Sequence, residues 1–526
     1  MKKIIIGSFI MVTLFNIRAW ATEKNPQDIS DSNAYYYFMK GLMYDDDRRY
    51  KEAIDEYKKA LKTVPLAMDI RLNLVRDYVY LEKYEEAMAE AEYILKVDPA
   101  NLDAHFMLGG IYTRQKDIDR AIAVYRKVVL LEENNTEAYL YLGELYAIKK
   151  DYQEAIKAFK KIIELDPGYI EAHLSLGFIY QEQGLSEEAI KEYNQVLSMD
   201  EANPVSRLSL GQIYGKEGNT TKAIEEYKEL LKDNPDNVLA HYHLGLIYFK
   251  QDLLDEALKE FLLVQDSFPQ DLSTLFYIGL IYEEKSMFNE ALSYMEKIIK
   301  LTDKLPAPYV HIGYIYLNQG LYKKAIKTFQ QALKIDPKDD ILYMFTGLSY
   351  SYMDNFTEAI PAYRRAIELN PDNGSAHFNL GVALDRTGEF QKSVAEFEKS
   401  LEINPKNTQA LNYLGYSYAD RGMKLNEAEA LIKRALELEP DNGAYIDSLG
   451  WVYFKETKYE EARVQLEKAI ELIKSDATVF DHLGDVYKML GDDQKAVLNW
   501  QKSLEVDPNN KQVKSKIEEL NKAKKE

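Results

Sequence analysis

Between Thr136 and Tyr169 the apolar residues fall into two runs at helical spacing, with a polar break between them. Tyr139, Leu142, Gly143 and Tyr146 share one face of a first helix. Lys149-Lys150-Asp151 interrupts the run, and Ala155, Phe159 and Ile162 then share one face of a second helix. Asp166-Pro167 ends it, because proline lacks an N–H and biases the residue before it away from the α region. The pattern predicts two short helices joined by a tight turn. Such a pair cannot bury its apolar face alone; it needs a neighbour.

The neighbour is the same pattern again. A glycine stands at Gly41, at Gly109 and every 34 residues from there to Gly415, and at Gly450 and Gly484. Only Val75 breaks this spine, in the second of fourteen repeats. A Tyr follows three residues after the glycine in every repeat except the eleventh, which has Leu384, and a small residue, nearly always Ala, follows nine after that, or ten after it in repeat twelve, at Ala428. Ten of the 15 prolines close a repeat, from Pro65 to Pro508. Glycine inside a helix costs about 1 kcal/mol relative to Ala, so its recurrence requires a compensating contact. The expected contact is a close approach of the paired helix through its Ala (Ala155, Ala189, Ala223), with the Tyr filling the space beside it.

This Gly, Tyr, Ala and Pro pattern resembles tetratricopeptide repeats over residues 34–510. The resemblance implies an all-α fold: a right-handed superhelical α-solenoid of about fourteen helix–turn–helix repeats. After Pro508, Val513, Ile517 and Leu520 share one face, which predicts a C-terminal capping helix over 511–526. Residues 303–308 (DKLPAP) lack the usual closing proline, which predicts either a bend or seam there or a simple helix start at Pro306. Repeat twelve carries one extra residue in its turn, between Met423 and Asn426.

The first 21 residues follow another logic. Lys2 and Lys3 precede an apolar stretch from Ile4 to Ile17, and Ala19-Trp20-Ala21 has the small-x-small form of a cleavage site. This predicts a signal peptide over 1–21 and an exported protein, periplasmic or extracellular, whose association with an outer membrane would run through a partner. The stretch is too short for a comfortable membrane span, so none is expected after cleavage. Residues 22–33 are polar and read as a flexible lead-in.

Composition narrows the function. A net charge of −20 argues against nucleic acid as a partner. The absence of cysteine excludes disulfides, thiolate metal sites and thiol catalysis. No phosphate-loop, zinc-protease or nucleophile-elbow motif occurs, so no enzyme, cofactor or metal site is expected. His105, His173, His241 and His377 fall where the family usually carries Trp or another large residue, while His243, His311 and His482 fall two positions on, towards the inner face.

In tetratricopeptide arrays the first helices line a concave face on which ligands usually lie. The resemblance therefore implies a partner-binding trough of Phe106, Tyr141, Phe178, Tyr242, Phe249, Phe276, Tyr277, Tyr314, Phe345, Tyr352, Phe378, Tyr413, Tyr416, Trp451 and Phe454. The Lys, Asn and Arg set of the chaperone-tail clamp is not matched, and only Asn73 and Asn379 occupy the family's asparagine ladder. The segments 411–422 (LNYLGYSYADRG), 445–455 (YIDSLGWVYFK) and 482–492 (HLGDVYKMLGD) resemble the last repeats of exported, envelope-associated bacterial members of the family. The expected role is a non-enzymatic scaffold of the bacterial envelope that binds proteins or peptide segments, serving a secretion, pilus or polysaccharide-export machine. The alternatives are a structural spacer holding partners at its ends or convex face, and an accessory to an envelope enzyme.

Overall fold

The computed structural model describes residues 32–523. The expected signal peptide and nearly all of the lead-in lie outside the described residues; Ser32 and Asn33 open the first helix. The described residues form 29 α-helices and no strand. The helices run as fourteen consecutive pairs, from Ser32–Asp46 with Tyr50–Thr63 to Ala477–Met489 with Asp493–Val506, followed by Lys511–Ala523. Two compact units result, one ending at Ser267 and the other beginning at Phe268, with seven pairs each.

Local chemistry sets the helix ends. Asn101, Asn135, Asn237 and Asn407 cap first helices, each side chain accepting the N–H of the residue three on. Pro204 and Pro306 open helices at their first position, where no N–H is needed, so the junction at 303–308 is an ordinary helix start. The turn within each pair requires a positive φ. Gly184, Gly218 and Gly320 adopt it freely, whereas Lys116 and Lys150 hold φ values of 62° and 61°. In repeat twelve the extra residue gives a second such position, Lys424, just after Gly422.

The glycine spine has a different reason from the one expected. A Cβ added to Gly143 would lie 2.6 Å from the ring of Phe159, and one on Gly177 would lie 2.7 Å from the ring of Tyr193. The gap admits the large side chain sixteen residues on, not the Ala twelve residues on. Tyr57, Tyr125, Tyr227, Phe261, Phe329, Tyr363, Phe397 and Trp500 fill it the same way. Burying such a ring stabilises by roughly 1.5–3 kcal/mol, which outweighs the cost of about 1 kcal/mol for a helical glycine. Repeat two inverts the pair: the larger Val75 stands in the glycine position and the smaller Ala91 in the ring position, both fully buried.

A polar clip recurs four residues before the glycine. His173, His241 and His377 are buried; each Nε2 faces the carbonyl of the proline six residues back, at 3.2, 2.8 and 3.1 Å. Each Nδ1 faces a glutamate on the second helix, Glu192, Glu260 and Glu396, at 2.5–2.6 Å. Arg71 and Arg207 make the same two contacts in repeats two and six, to Pro65 and Glu90 and to Glu201 and Glu226. The clip ties the incoming loop to both helices of the pair.

The last helix closes the second unit. Val513 and Leu520 are buried, and Ile517 packs beside them. Lys516 Nζ donates to Asp481 and Asp485, both at 2.7 Å, so this cap is held by charge as well as by apolar contact.

One core position in the first unit breaks the pattern. Repeats three to six have Ile111, Leu145, Ile179 and Ile213 two residues after the glycine; repeat two has Asp77, fully buried. Burial first, and then the neighbouring Asp45 carboxylate, push its pKa up to about 8, against the opposing pull of Arg76. The native state then holds a proton that the unfolded chain releases, so Asp77 lowers stability progressively as pH rises from about 4 to about 8. Asp77→Ile is expected to stabilise the fold at pH 8–9 by on the order of a few kcal/mol, seen as a higher melting temperature, and to change it less at pH 4. Thermal melts across pH check this. For the spine, Gly143→Val is expected to overpack the pair by roughly 1–3 kcal/mol, and Gly143→Val with Phe159→Ala to recover part of that loss by copying Val75 and Ala91. Urea melts of the two single variants and the double variant measure the coupling.

Candidate partner-binding face

Within each unit the first helices of successive repeats touch, as Pro204–Lys216 touches Val238–Lys250 and Thr408–Asp420 touches Gly443–Lys455. Their exposed side is the inner face. The rings on it are not loose. In repeats three, six, nine and eleven the ring that fills the glycine gap carries on its far side a ring from the next repeat, again sixteen residues on, whereas Phe159 and Tyr193 have Ser175 and Ser209 at that position. Tyr141 stacks on Tyr125 at 4.9 Å, His243 on Tyr227 at 5.5 Å, Phe345 on Phe329 at 5.9 Å, and Tyr413 lies 5.1 Å from Phe397. These inner rings join one repeat to the next and present only their remaining surface outwards.

The fifteen trough residues therefore divide. In the first unit Phe106 is buried against Tyr125 and Tyr141, which corrects its expected place on an open face. Tyr141, Phe178, Tyr242 and Phe249 are half-buried, and Tyr242 meets Phe261 edge to face. In the second unit Phe276, Tyr277, Tyr314, Phe345, Phe378, Tyr413, Tyr416 and Phe454 are half-buried. Tyr314 and Phe345 meet edge to face at 4.5 Å, and Phe276 packs against His311. Tyr352 is 57 % exposed and stacks on Tyr322 of the preceding repeat. Trp451, expected as a surface anchor, is buried, because its ring stacks on His482 at 4.0 Å and on Phe454 at 4.8 Å.

Around Trp451 lies a group that was not singled out from the sequence. The indole N–H donates to Asp420 Oδ1 at 3.3 Å, and Lys455 lies 4.7 Å over the ring while donating to the Asp420 carbonyl. His482, expected to face the inner side, is instead buried, with Nδ1 3.0 Å from the buried Asp447. Burial alone lowers the imidazole pKa; the Asp447 carboxylate opposes it, Asp481 and Asp485 add to the opposition, and the net shift is upward from 6.5. His243 shows the opposite balance, since burial alone lowers its pKa. Asp447 and His482 are 35 residues apart and occupy adjacent inner positions of successive repeats.

Among the described residues no cluster of His, Cys, Asp or Glu could hold a metal ion, and no helix is long and apolar enough to cross a membrane. The face offers fixed aromatic edges and satisfied acids, which suits contact with another polypeptide.

Tetratricopeptide repeat models match residues 34–63, 72–135, 146–210, 306–339, 346–408 and 445–476, and a TPR repeat model matches 211–252. A stretch of 49 residues is 47 % identical to the TPR repeat-containing protein PA4667 of Pseudomonas aeruginosa; it spans 9 % of this chain and 8 % of that protein. The crystal structure of the APC/C hetero-tetramer Cut9-Hcn1 aligns over 93 % of this chain and 96 % of its own, with 16 % identity and a TM-score of 0.42. A tetratricopeptide repeat protein from Parabacteroides merdae aligns over 47 % of this chain and 98 % of its own (17 % identity, TM-score 0.40). PilW, a type IV pilus biogenesis factor, aligns over 40 % and 97 % (21 % identity, TM-score 0.36).

The raised pKa of His482 means that its stabilising contribution is complete below pH 6.5 and is lost as pH rises through the higher folded value. His482→Gln is expected to lower stability at pH 6 by on the order of 1–3 kcal/mol and to flatten the pH dependence above it. Imidazole proton shifts followed by NMR, with the variant assigning the signal, check both the direction and the site.

Proposed function

We propose that this chain, which belongs to the tetratricopeptide repeat family, is an exported scaffold of the bacterial envelope that holds partner proteins on the inner face of its first helices. Solenoids of this family are typically non-catalytic protein-interaction scaffolds. The observation that carries the reading is the set of half-buried inner rings, several of which, such as Tyr141, Phe345 and Tyr413, are held in place by a ring of the preceding repeat. A ring that is already immobile loses little further conformational entropy when a partner covers its open edge. The nearly apolar inner positions around Tyr314, Phe345 and Leu348 favour a segment presenting apolar side chains.

The envelope location rests on the charged, then apolar, then small-residue order of residues 1–21. N-terminal sequencing of protein recovered from cells is expected to begin near Thr22. The partners are accordingly envelope proteins, and assembly of a secretion, pilus or polysaccharide-export machine is the process in which such a scaffold would serve.

Tyr314→Ala with Tyr416→Ala is expected to lower recovery of cross-linked partners from envelope extracts at least fivefold while far-ultraviolet circular dichroism stays unchanged. Recovery equal to that of the parent, with helicity intact, would rule out the inner face as the binding surface.

A further inference from the structure

The outer side of repeat three departs from the rest of the array. There the second helices Tyr84–Val97 and Ile118–Leu131 and the first helix Leu102–Arg114 enclose an open cleft of about 450 Å³. Leu95, Leu108, Tyr112 and Val124 form its apolar floor. Lys96, Arg120 and Lys127 stand around it against a single carboxylate, Glu92. Arg120 is paired with Asp117 and lies 4.6 Å over the Tyr112 ring, so its charge stays at the rim. Three cations gathered over an apolar floor are unexpected in a chain of net charge −20.

Among the repeats that carry the clip histidine, repeat three alone has short apolar residues, Ala123 and Val124, at the positions that border the cleft. The equivalent positions hold Lys191 and Glu192 in repeat five and Lys259 and Glu260 in repeat seven. There the glutamate accepts from the clip histidine. In repeat three the clip histidine is still present: His105 is 4 % exposed and its Nε2 faces the Pro99 carbonyl at 3.0 Å. Its Nδ1, which in the other repeats faces the residue at the Val124 position, is buried without a hydrogen-bond partner. A buried unpaired nitrogen is costly, and the sequence elsewhere in the chain shows how to avoid it. A local rule broken at a cost, next to a cleft of ligand-binding size (roughly 300–1,000 Å³), marks a functional position.

We infer that this cleft binds a segment of a partner polypeptide that presents an apolar side chain flanked by carboxylates. The apolar side chain enters between Leu95, Leu108 and Val124, and the carboxylates meet Lys96, Lys127 and the rim arginine. The site faces away from the inner rings and is independent of the function proposed for them.

The test uses the full chain and two fluorescein-labelled pentapeptide pools, one with Asp-Leu-Asp at its centre and one with Lys-Leu-Lys, followed by fluorescence anisotropy. The acidic pool is expected to bind at least tenfold more tightly than the basic one. Val124→Glu restores the carboxylate that His173 and His241 enjoy; it is expected to melt at or above the parent temperature and to weaken acidic-pool binding at least tenfold. Lys96→Glu with Lys127→Glu changes exposed side chains only and is expected to weaken it as much, which keeps the test valid if Val124→Glu folds poorly. Tyr314→Ala is expected to leave it unchanged. Equal binding of the two pools, acidic-pool binding that survives the lysine reversals, or no binding of either pool at millimolar concentration would overturn the inference.

Discussion

A ring seated in the gap left by a glycine is the contact on which the rest of this molecule depends. Gly109 admits Tyr125, and Tyr125 in turn carries Tyr141 of the following repeat; Gly313, Phe329 and Phe345 repeat the same series. Each series spans three helices, so the packing inside a repeat and the packing between repeats use one side chain in common. A volume change in the ring is therefore felt in two places. The same series decides what the inner face can offer, since half of each inner ring is already committed to its neighbour.

Polar contacts follow the apolar frame and do not compete with it. The histidine or arginine clip binds a loop carbonyl left over at the end of one helix and a glutamate on the next, and so satisfies groups that would otherwise be buried unpaired. Arginine in the clip of repeats two and six shows that the site accommodates a cation. Histidine fills the same geometry in repeats five, seven and eleven.

The fold was legible almost entirely, because a 34-residue period reports the same structure many times and any single deviation stands out. Helix ends followed from Pro placement and polar turns, and the terminal cap from the shared face of Val513, Ile517 and Leu520. The reason for the glycine was not legible along the chain: in most repeats an Ala recurs twelve residues on and a large side chain, usually a ring, sixteen residues on, and only packing tells them apart. The binding face was legible in outline. Periodicity places Phe106 and Trp451 on the inner side as surely as Tyr314, but it cannot say which rings a neighbour covers. Trp451 is covered because His482, one repeat later, happens to be a flat ring. The cleft of repeat three was missed because its signal is a missing glutamate at a position whose role only the other repeats reveal.

Near-identical units raise a hazard of their own, since a first helix could pair with the second helix of the wrong unit and leave the chain folded out of frame. The exchange of sizes at Val75 and Ala91 acts as a key against this. A helix carrying Val75 meets a ring if it slips onto any neighbouring second helix, and a helix carrying Ala91 leaves a void beneath any neighbouring glycine. Repeat two thus accepts only itself. The array cannot be shifted by one unit through that point, although the other units look interchangeable, and its frame is anchored from the end that a ribosome makes first.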